Sequence, residues 1–313
     1  MKFVHELEDA EDLFRVIADE KRIDSYLVEK DYWIMHALWG LKKQGYDFEL
    51  KGGTSLSKGF KIIDRFSEDI DIHICPNSEN NVPTGKNQDK KTHIESRLKY
   101  FDYLSNEIKI PGMTAIRDND FDNEKLMSAG IRLNYDSLFD VPNGIKERIL
   151  LEAGFDNTTP NEVLNIDSWS YLKAFGIVPE LIDNRAVAVK CYLPEYTFVE
   201  KLQTITRKVR QQRIRGEFMP NFLRHFYDIH QLFKQDRVKN FIGTEKYDLH
   251  KRDRFRGEDN SELKQNLAFN FDSDKTLFDE YKQMFDRVRA LFISTPPSFE
   301  EIYASIIAIR TIG

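Results

Sequence analysis

Cysteine is scarce in this 313-residue chain. Cys75 and Cys191 stand far apart, outside any CxxC or histidine-rich context, which excludes a disulfide framework and a zinc-stapled fold. No apolar run reaches membrane-spanning length, and Met1-Lys2-Phe3-Val4-His5-Glu6 carries no apolar signal segment, so the sequence predicts a cytoplasmic protein with no membrane partner. Excess positive charge is missing too. A formal net charge of −6 argues against a protein that coats nucleic acid indiscriminately, because such binding neutralises many phosphates at once. A local basic groove is still allowed: Arg207, Lys208, Arg210, Arg213 and Arg215 crowd together, as do Lys251, Arg252, Arg254 and Arg256. The competing reading is solvated helix faces balanced by acids such as Asp253, Glu258 and Asp259. There is no internal repeat. The remaining composition, 41% hydrophobic and 31% charged, is that of an ordinary globular protein long enough for two domains or one large one.

The chemistry is concentrated in residues 51–74. Tyr46, Phe48 and Leu50 alternate with Asp47 and Glu49, a short strand running into Gly52-Gly53. A strand that breaks at two glycines and restarts as a helix at Thr54 presents backbone N–H groups and a positive dipole end, a seat for phosphate. Leu56, Phe60 and Ile63 share one face of the expected helix. Ile70, Ile72 and Ile74 then alternate with Asp69, Asp71 and His73, so the next segment is a strand with both aspartates on one side. Like charges so close repel unless a cation lies between them, and a divalent metal is the simplest partner.

Elsewhere periodicity gives structure more than chemistry. Ala10, Leu13, Phe14 and Ile17 predict a short helix, and Leu27, Ile34, Leu38 and Leu41 a longer one ending near Gly45. Residues 76–91 have no hydrophobic period and read as a mobile polar loop, either a substrate lid or an idle excursion. Strands are expected near 113–117, 131–139 and 148–155, in a mixed sheet antiparallel in this half. Within the last of them Glu152 interrupts an apolar run and needs a partner, either a functional cation or Arg148 or Arg132. Helices are expected from Asn161 onward, with a domain boundary between 175 and 195. Lys201 falls inside the apolar stripe of Phe198, Leu202 and Ile205, and an inward lysine needs an anion unless it snorkels. A further stripe, Phe222, Phe226, Ile229 and Phe233, is flanked by His225, Tyr227 and Asp228. Gly243 to Asn260 is too charged and irregular to assign.

Gly53-Thr54-Ser55 followed by Ser67-Glu68-Asp69-Ile70-Asp71 resembles the signature of nucleotidyltransferases of the DNA polymerase β superfamily. The wider string, Lys51-Gly52-Gly53-Thr54-Ser55-Leu56 with Arg65-Phe66-Ser67-Glu68-Asp69-Ile70-Asp71, is similar to the AbiEii/AbiGii toxin family of abortive-infection and toxin–antitoxin systems. Val28-Glu29-Lys30-Asp31-Tyr32 also resembles a recurrent piece of that family, although no chemistry follows from it. The resemblance implies an α+β fold: a polymerase β-like mixed sheet with helices over 1–185, followed by a mostly helical domain over 186–313. It implies an enzyme that moves a nucleoside monophosphate from an NTP to a hydroxyl, with Asp69 and Asp71 holding two Mg2+ ions and Glu152 as third carboxylate. Gly52, Gly53, Thr54 and Ser67 would bind the nucleotide's phosphates, Lys201 would meet the triphosphate, and Asp228 would orient that lysine or touch the nucleotide. The acceptor implied is RNA, a tRNA end foremost, with an antitoxin as further partner. The alternatives are a small-molecule or protein acceptor, or a nucleotide-binding module without turnover.

Overall fold

Helix α1 (Ala10–Lys21) packs on α2 (Ser25–Lys43), which starts where the Asp24 carboxylate accepts from the Tyr26 N–H at 2.8 Å. α2 is buried almost all round, including its charged Glu29, Lys30 and Asp31. These elements belong to a computed structural model that describes residues 1–218, 221–272 and 274–312. The chain separates into two units, Met1–Phe60 with Phe66–Tyr192, and Lys61–Arg65 with Leu193–Gly313.

The first unit is built on a mixed sheet of seven strands in the order β3-β4-β5-β2-β1-β7-β6. The strands are β1 (Phe48–Lys51), β2 (Ile70–Ile74), β3 (Thr114–Asp118), β4 (Ser128–Asn134), β5 (Ile149–Gly154), β6 (Asn161–Ile166) and β7 (Ala186–Tyr192). The pairs β2–β5 and β1–β7 run parallel and the others antiparallel. Phe48, Leu50, Ile70, Ile72, Ile74, Ile149, Leu151 and Ala153 are buried in one core with α2. Each large aliphatic side chain so placed stabilises the unit by roughly 1.5–3 kcal/mol. Because side chains alternate, Glu49, Lys51, Asp71, His73 and Glu152 occupy the opposite face of the three central strands.

Four sequence expectations need correction. The helix after the glycine pair is short: α3 (Gly52–Thr54) continues only as a π-helical segment, Ser55–Gly59, so Ile63 lies beyond it. Strands do not give way at Asn161, because β6 and β7 follow with α5 (Trp169–Ala174) between them. They sit at the sheet's end, and Val163 and Val187 are half exposed, so burial leaves no alternation to read. Residues 76–91, before α4 (Lys91–Glu107), are tied down by the buried Arg97, which donates to Pro83 O at 2.8 Å and Gln88 O at 2.9 Å. They also leave β2 from the end opposite Asp69, roughly 16 Å along the strand, which argues against a lid on the aspartates. Finally, the charged stretch after Gly243 contains a helix, Glu245–Arg254.

The second unit is helical: α6 (Pro194–Arg215), α7 (Arg224–Phe233), α8 (Asp236–Phe241), α9 (Glu245–Arg254), α10 (Lys275–Arg287) and α11 (Phe299–Ile312). Proline opens α6 and a left-handed Gly216, φ 71°, ends it. Phe226, Phe271 and Tyr281 pack as an aromatic core with ring centroids 5.0–6.2 Å apart. Segment Lys61–Arg65 belongs to this unit because its backbone is bonded into it. The Asp64 N–H donates to Tyr227 Oη at 3.0 Å, and the Ile293 N–H donates to Asp64 O at 3.2 Å.

Candidate active site

Two clusters of charged side chains stand out, one in each unit. In the sheet unit, β2 lies between β1 and β5 with Lys51 paired to Asp71 and Asp71 paired to Glu152. The three side chains therefore form a row across one face. Asp71 also lies against the glycine turn. Gly52 has φ +72°, which side chains rarely tolerate, and a Cβ there would stand 2.1 Å from Asp71 Oδ2. The glycine thus allows both the turn and the close approach of the carboxylate. Beside it Thr54 donates its hydroxyl to Asp69 O at 2.6 Å, fixing the chain just before β2. Thr54 and Gly53 are both buried, and Ser67, nearby in sequence, is half-buried.

The carboxylates are short of positive charge. Burial and the adjacent Asp71 and Asp69 push Glu152 up to about 8, the mark of carboxylates crowded together with too little positive charge between them. Arg148 and Arg132, the expected alternative partners, turn to Glu147 and Asp118. On Asp69, Oδ2 accepts from the Lys146 ammonium, whereas Oδ1 is buried with no hydrogen-bond partner among the described residues. Among those residues no three His, Cys, Asp or Glu side chains form a ready-made metal cage. The Lys146 ammonium satisfies one oxygen of Asp69, and the orphaned Oδ1 fits a divalent cation.

In the helical unit one carboxylate serves two cations. Arg65 grips Asp228 through Nε and Nη2, both at 2.7 Å, and Lys201 Nζ lies 3.0 Å from Asp228 Oδ2. Burial would raise the Asp228 carboxyl, but Arg65 and Lys201 outweigh it and hold the group well below the usual range. His225 Nδ1 is 3.5 Å from Lys201 Nζ. Burial and Lys201 push that imidazole far down, so it is neutral and the cluster keeps a net positive charge. Lys201 and Asp228 are therefore brought together as an inward lysine and its anion.

A model of the AbiEii family, described as the nucleotidyl transferase AbiEii toxin of a type IV toxin–antitoxin system, matches residues 33–305. The chain belongs to the AbiEii nucleotidyltransferase toxin family. Family membership implies an NTP substrate, a divalent metal and an antitoxin counterpart. Among solved structures this AbiEii-family chain is similar to MenT4, a nucleotidyltransferase toxin from Mycobacterium tuberculosis, at 15% identity over 95% of this chain and 99% of that one, with a TM-score of 0.41. It is also similar to an antigenic nucleotidyltransferase-like protein from Paracoccidioides brasiliensis, at 13% identity over 72% of this chain and 87% of that one, with a TM-score of 0.37. No curated protein matches. Within the described residues no helix is long and apolar enough to cross a membrane.

Sequence reasoning assigned no role to several residues of this AbiEii-family chain. Lys51 faces Asp71 and lowers the pKa of Glu152, Lys146 holds Asp69, and Arg65 completes the Asp228 cluster. The signal for Arg65 lay in the Arg-Phe-Ser-Glu-Asp string itself. Lys146, in an irregular loop, had none. The Val28–Tyr32 segment now has a structural role. Glu29 accepts from the Ser137 hydroxyl at 2.6 Å and the Leu138 N–H at 2.9 Å, while Asp31 accepts from the Trp169 N–H at 3.0 Å and pairs with Lys58, in the π segment, at 2.7 Å.

Proposed function

We propose that this AbiEii-family enzyme transfers a nucleoside monophosphate from an NTP to a hydroxyl of RNA, a tRNA end foremost, with two magnesium ions as cofactor, in an abortive-infection or toxin–antitoxin setting inside the cytoplasm. The observation that carries the reading is the row of Asp71 and Glu152 beside Gly52, with the orphaned Asp69 Oδ1 next to it in sequence.

Asp69 and Asp71, with Glu152, would hold the metal. Magnesium bound there supplies Lewis acidity to the triphosphate and to the attacking hydroxyl. The residues of the chain set the stage for that chemistry. Gly52 keeps the backbone close to Asp71, and the Gly53 and Thr54 amides with the Ser67 hydroxyl are assigned to the phosphates. Glu152, paired with Asp71 across β2 and β5, is assigned to complete the metal's carboxylate set and, in its deprotonated form, to help remove the proton of the attacking hydroxyl. Lys201, oriented by Asp228, is assigned to neutralise charge on the leaving pyrophosphate. The RNA assignment draws on exposed Arg207, Arg213 and Arg215 along α6, whereas Arg210 is spent on Glu258 and Asp259.

The test is incubation of the protein with each labelled NTP, Mg2+ and total RNA, tRNA or protein, followed by gel separation and sequencing of RNA 3′ ends. The expected result is label in RNA and pyrophosphate release that Asp71→Asn abolishes. Pyrophosphate release unchanged in both Asp69→Asn and Asp71→Asn rejects the metal assignment. Label found only in protein or a small molecule rejects the acceptor.

A further inference from the structure

The loop between β4 and β5 is exposed for most of its length, yet the backbone of one residue in it is held on both sides of its Cα by buried groups. The Lys146 N–H donates to Glu68 Oε1 at 2.7 Å, with Glu68 1% exposed. The Lys146 carbonyl accepts from Lys30 Nζ and, at 3.1 Å, from Tyr26 Oη, both side chains being 0% exposed. Burying a lysine and a glutamate is unfavourable unless each is well paired. Here both spend a hydrogen bond on the backbone of a single loop residue. That arrangement fixes the direction of the Lys146 side chain, and its ammonium meets Asp69 Oδ2. The Lys146 side chain is 38% exposed, so beyond its fixed backbone the ammonium has solvent to turn to in place of Asp69.

We propose that Lys146 is a positioning residue of the active site, a resident cation held on Asp69 that a divalent metal ion must displace. This rests on the reading of Asp69 as a metal ligand. An ammonium on one oxygen orients the carboxylate while no metal is bound, and it competes with the metal for the same oxygens. Lys146 therefore lowers the affinity of the empty protein for free divalent ions. Lys30, which holds the Lys146 carbonyl, has Glu68, Asp69, Lys146 and Arg132 as its charged neighbours.

Calorimetric titration of the full chain with Mn2+ alone, without nucleotide, tests it. Lys146→Gln is expected to bind Mn2+ roughly three- to tenfold more tightly than wild type, the range expected for losing one partly exposed cation. Lys146→Arg, which keeps the charge, is expected to stay within about twofold of wild type. A Lys146→Gln affinity equal to or weaker than wild type overturns the proposal, and if Asp69→Asn still abolishes Mn2+ binding the metal reading survives that failure. Mn2+ binding that is the same in wild type, Asp69→Asn and Asp71→Asn overturns both. A second measurement needs no variant: acetylation of wild-type lysines, read by mass spectrometry, should show Lys146 labelled faster once Mn2+ is saturating. An unchanged or slower rate overturns the displacement.

Discussion

Replacing Asp228 by asparagine perturbs the helical unit at its most charged buried point. Asp228 is 0% exposed, and its partners Arg65 and Lys201 are 2% and 11% exposed. Asparagine has nearly the same shape but no charge, so the guanidinium and the ammonium lose the carboxylate they share. Breaking a buried ion pair by removing one partner typically costs about 3–5 kcal/mol, and two cations lose their partner here, so the upper half of that range is expected. For a chain of this length each kcal/mol moves the thermal midpoint by about 2–4 °C, which predicts a fall of about 10 °C or more. The pH must be chosen with the sign in mind. The folded carboxyl lies below its unfolded value of about 3.9, so the stabilisation is fully present above that value and is lost as pH falls through the folded one. Melts at neutral pH therefore report the whole effect. The double variant Asp228→Asn/Arg65→Met removes one of the two cations and is expected to recover about 1–2 kcal/mol relative to simple addition of the two single losses. A midpoint shift smaller than about 2 °C in Asp228→Asn, or strict additivity in the double variant, refutes the claim that this cluster anchors segment Lys61–Arg65 to α7.

Three further outcomes are expected. Gly52→Ala places a methyl group at a backbone φ of +72° and 2.1 Å from Asp71 Oδ2, so it should lose about 2 kcal/mol in urea unfolding and most Mn2+ affinity; a neutral effect on both contradicts the close approach. Without metal, Asp71→Asn should be at least as stable as wild type, because it relieves repulsion with Glu152, whereas Asp69→Asn should lose roughly 0.5–1 kcal/mol with its Lys146 contact; urea midpoints in the reverse order refute the charge assignment. His36 is buried between Pro111 O and Asn184, each at 3.0 Å, and burial lowers it to about 3. From pH 6.5 down to about 3 the unfolded chain binds the extra proton, so stability falls with pH by up to about 1.4 kcal/mol per unit. His36→Gln should lose that slope in urea titrations at pH 7 and pH 5, and equal slopes in the two proteins count against it.

Period-two patterns made β2, β4 and β5 legible, and a lone acid in an apolar run picked out Glu152 before any partner strand was known. What the pattern could not supply was register: only the parallel pairing of β2 with β5 sets Glu152 beside Asp71 rather than one residue away on the opposite face. β6 and β7 were missed for a different reason. With Val163 and Val187 at the surface, their alternation does not separate core from solvent. Lys146 was invisible because single hydrogen bonds to a loop backbone leave no period in a sequence. A trace of the loop's anchoring, though not of Lys146 itself, was present. Glu29, Lys30 and Asp31 stand consecutively on a helix that is otherwise apolar on every side, and three charges cannot all face water from such a helix. Each must find a partner in the interior, and consecutive residues on a helix point about 100° apart, so the partners must lie in different directions. The structure supplies three: the Ser137–Leu138 turn, the Lys146 peptide and the start of α5. A charged triplet inside an almost wholly buried helix can therefore be read as a clamp at three points, two in the β4–β5 loop and one at the start of α5, and the β4–β5 loop carries the cation that holds Asp69.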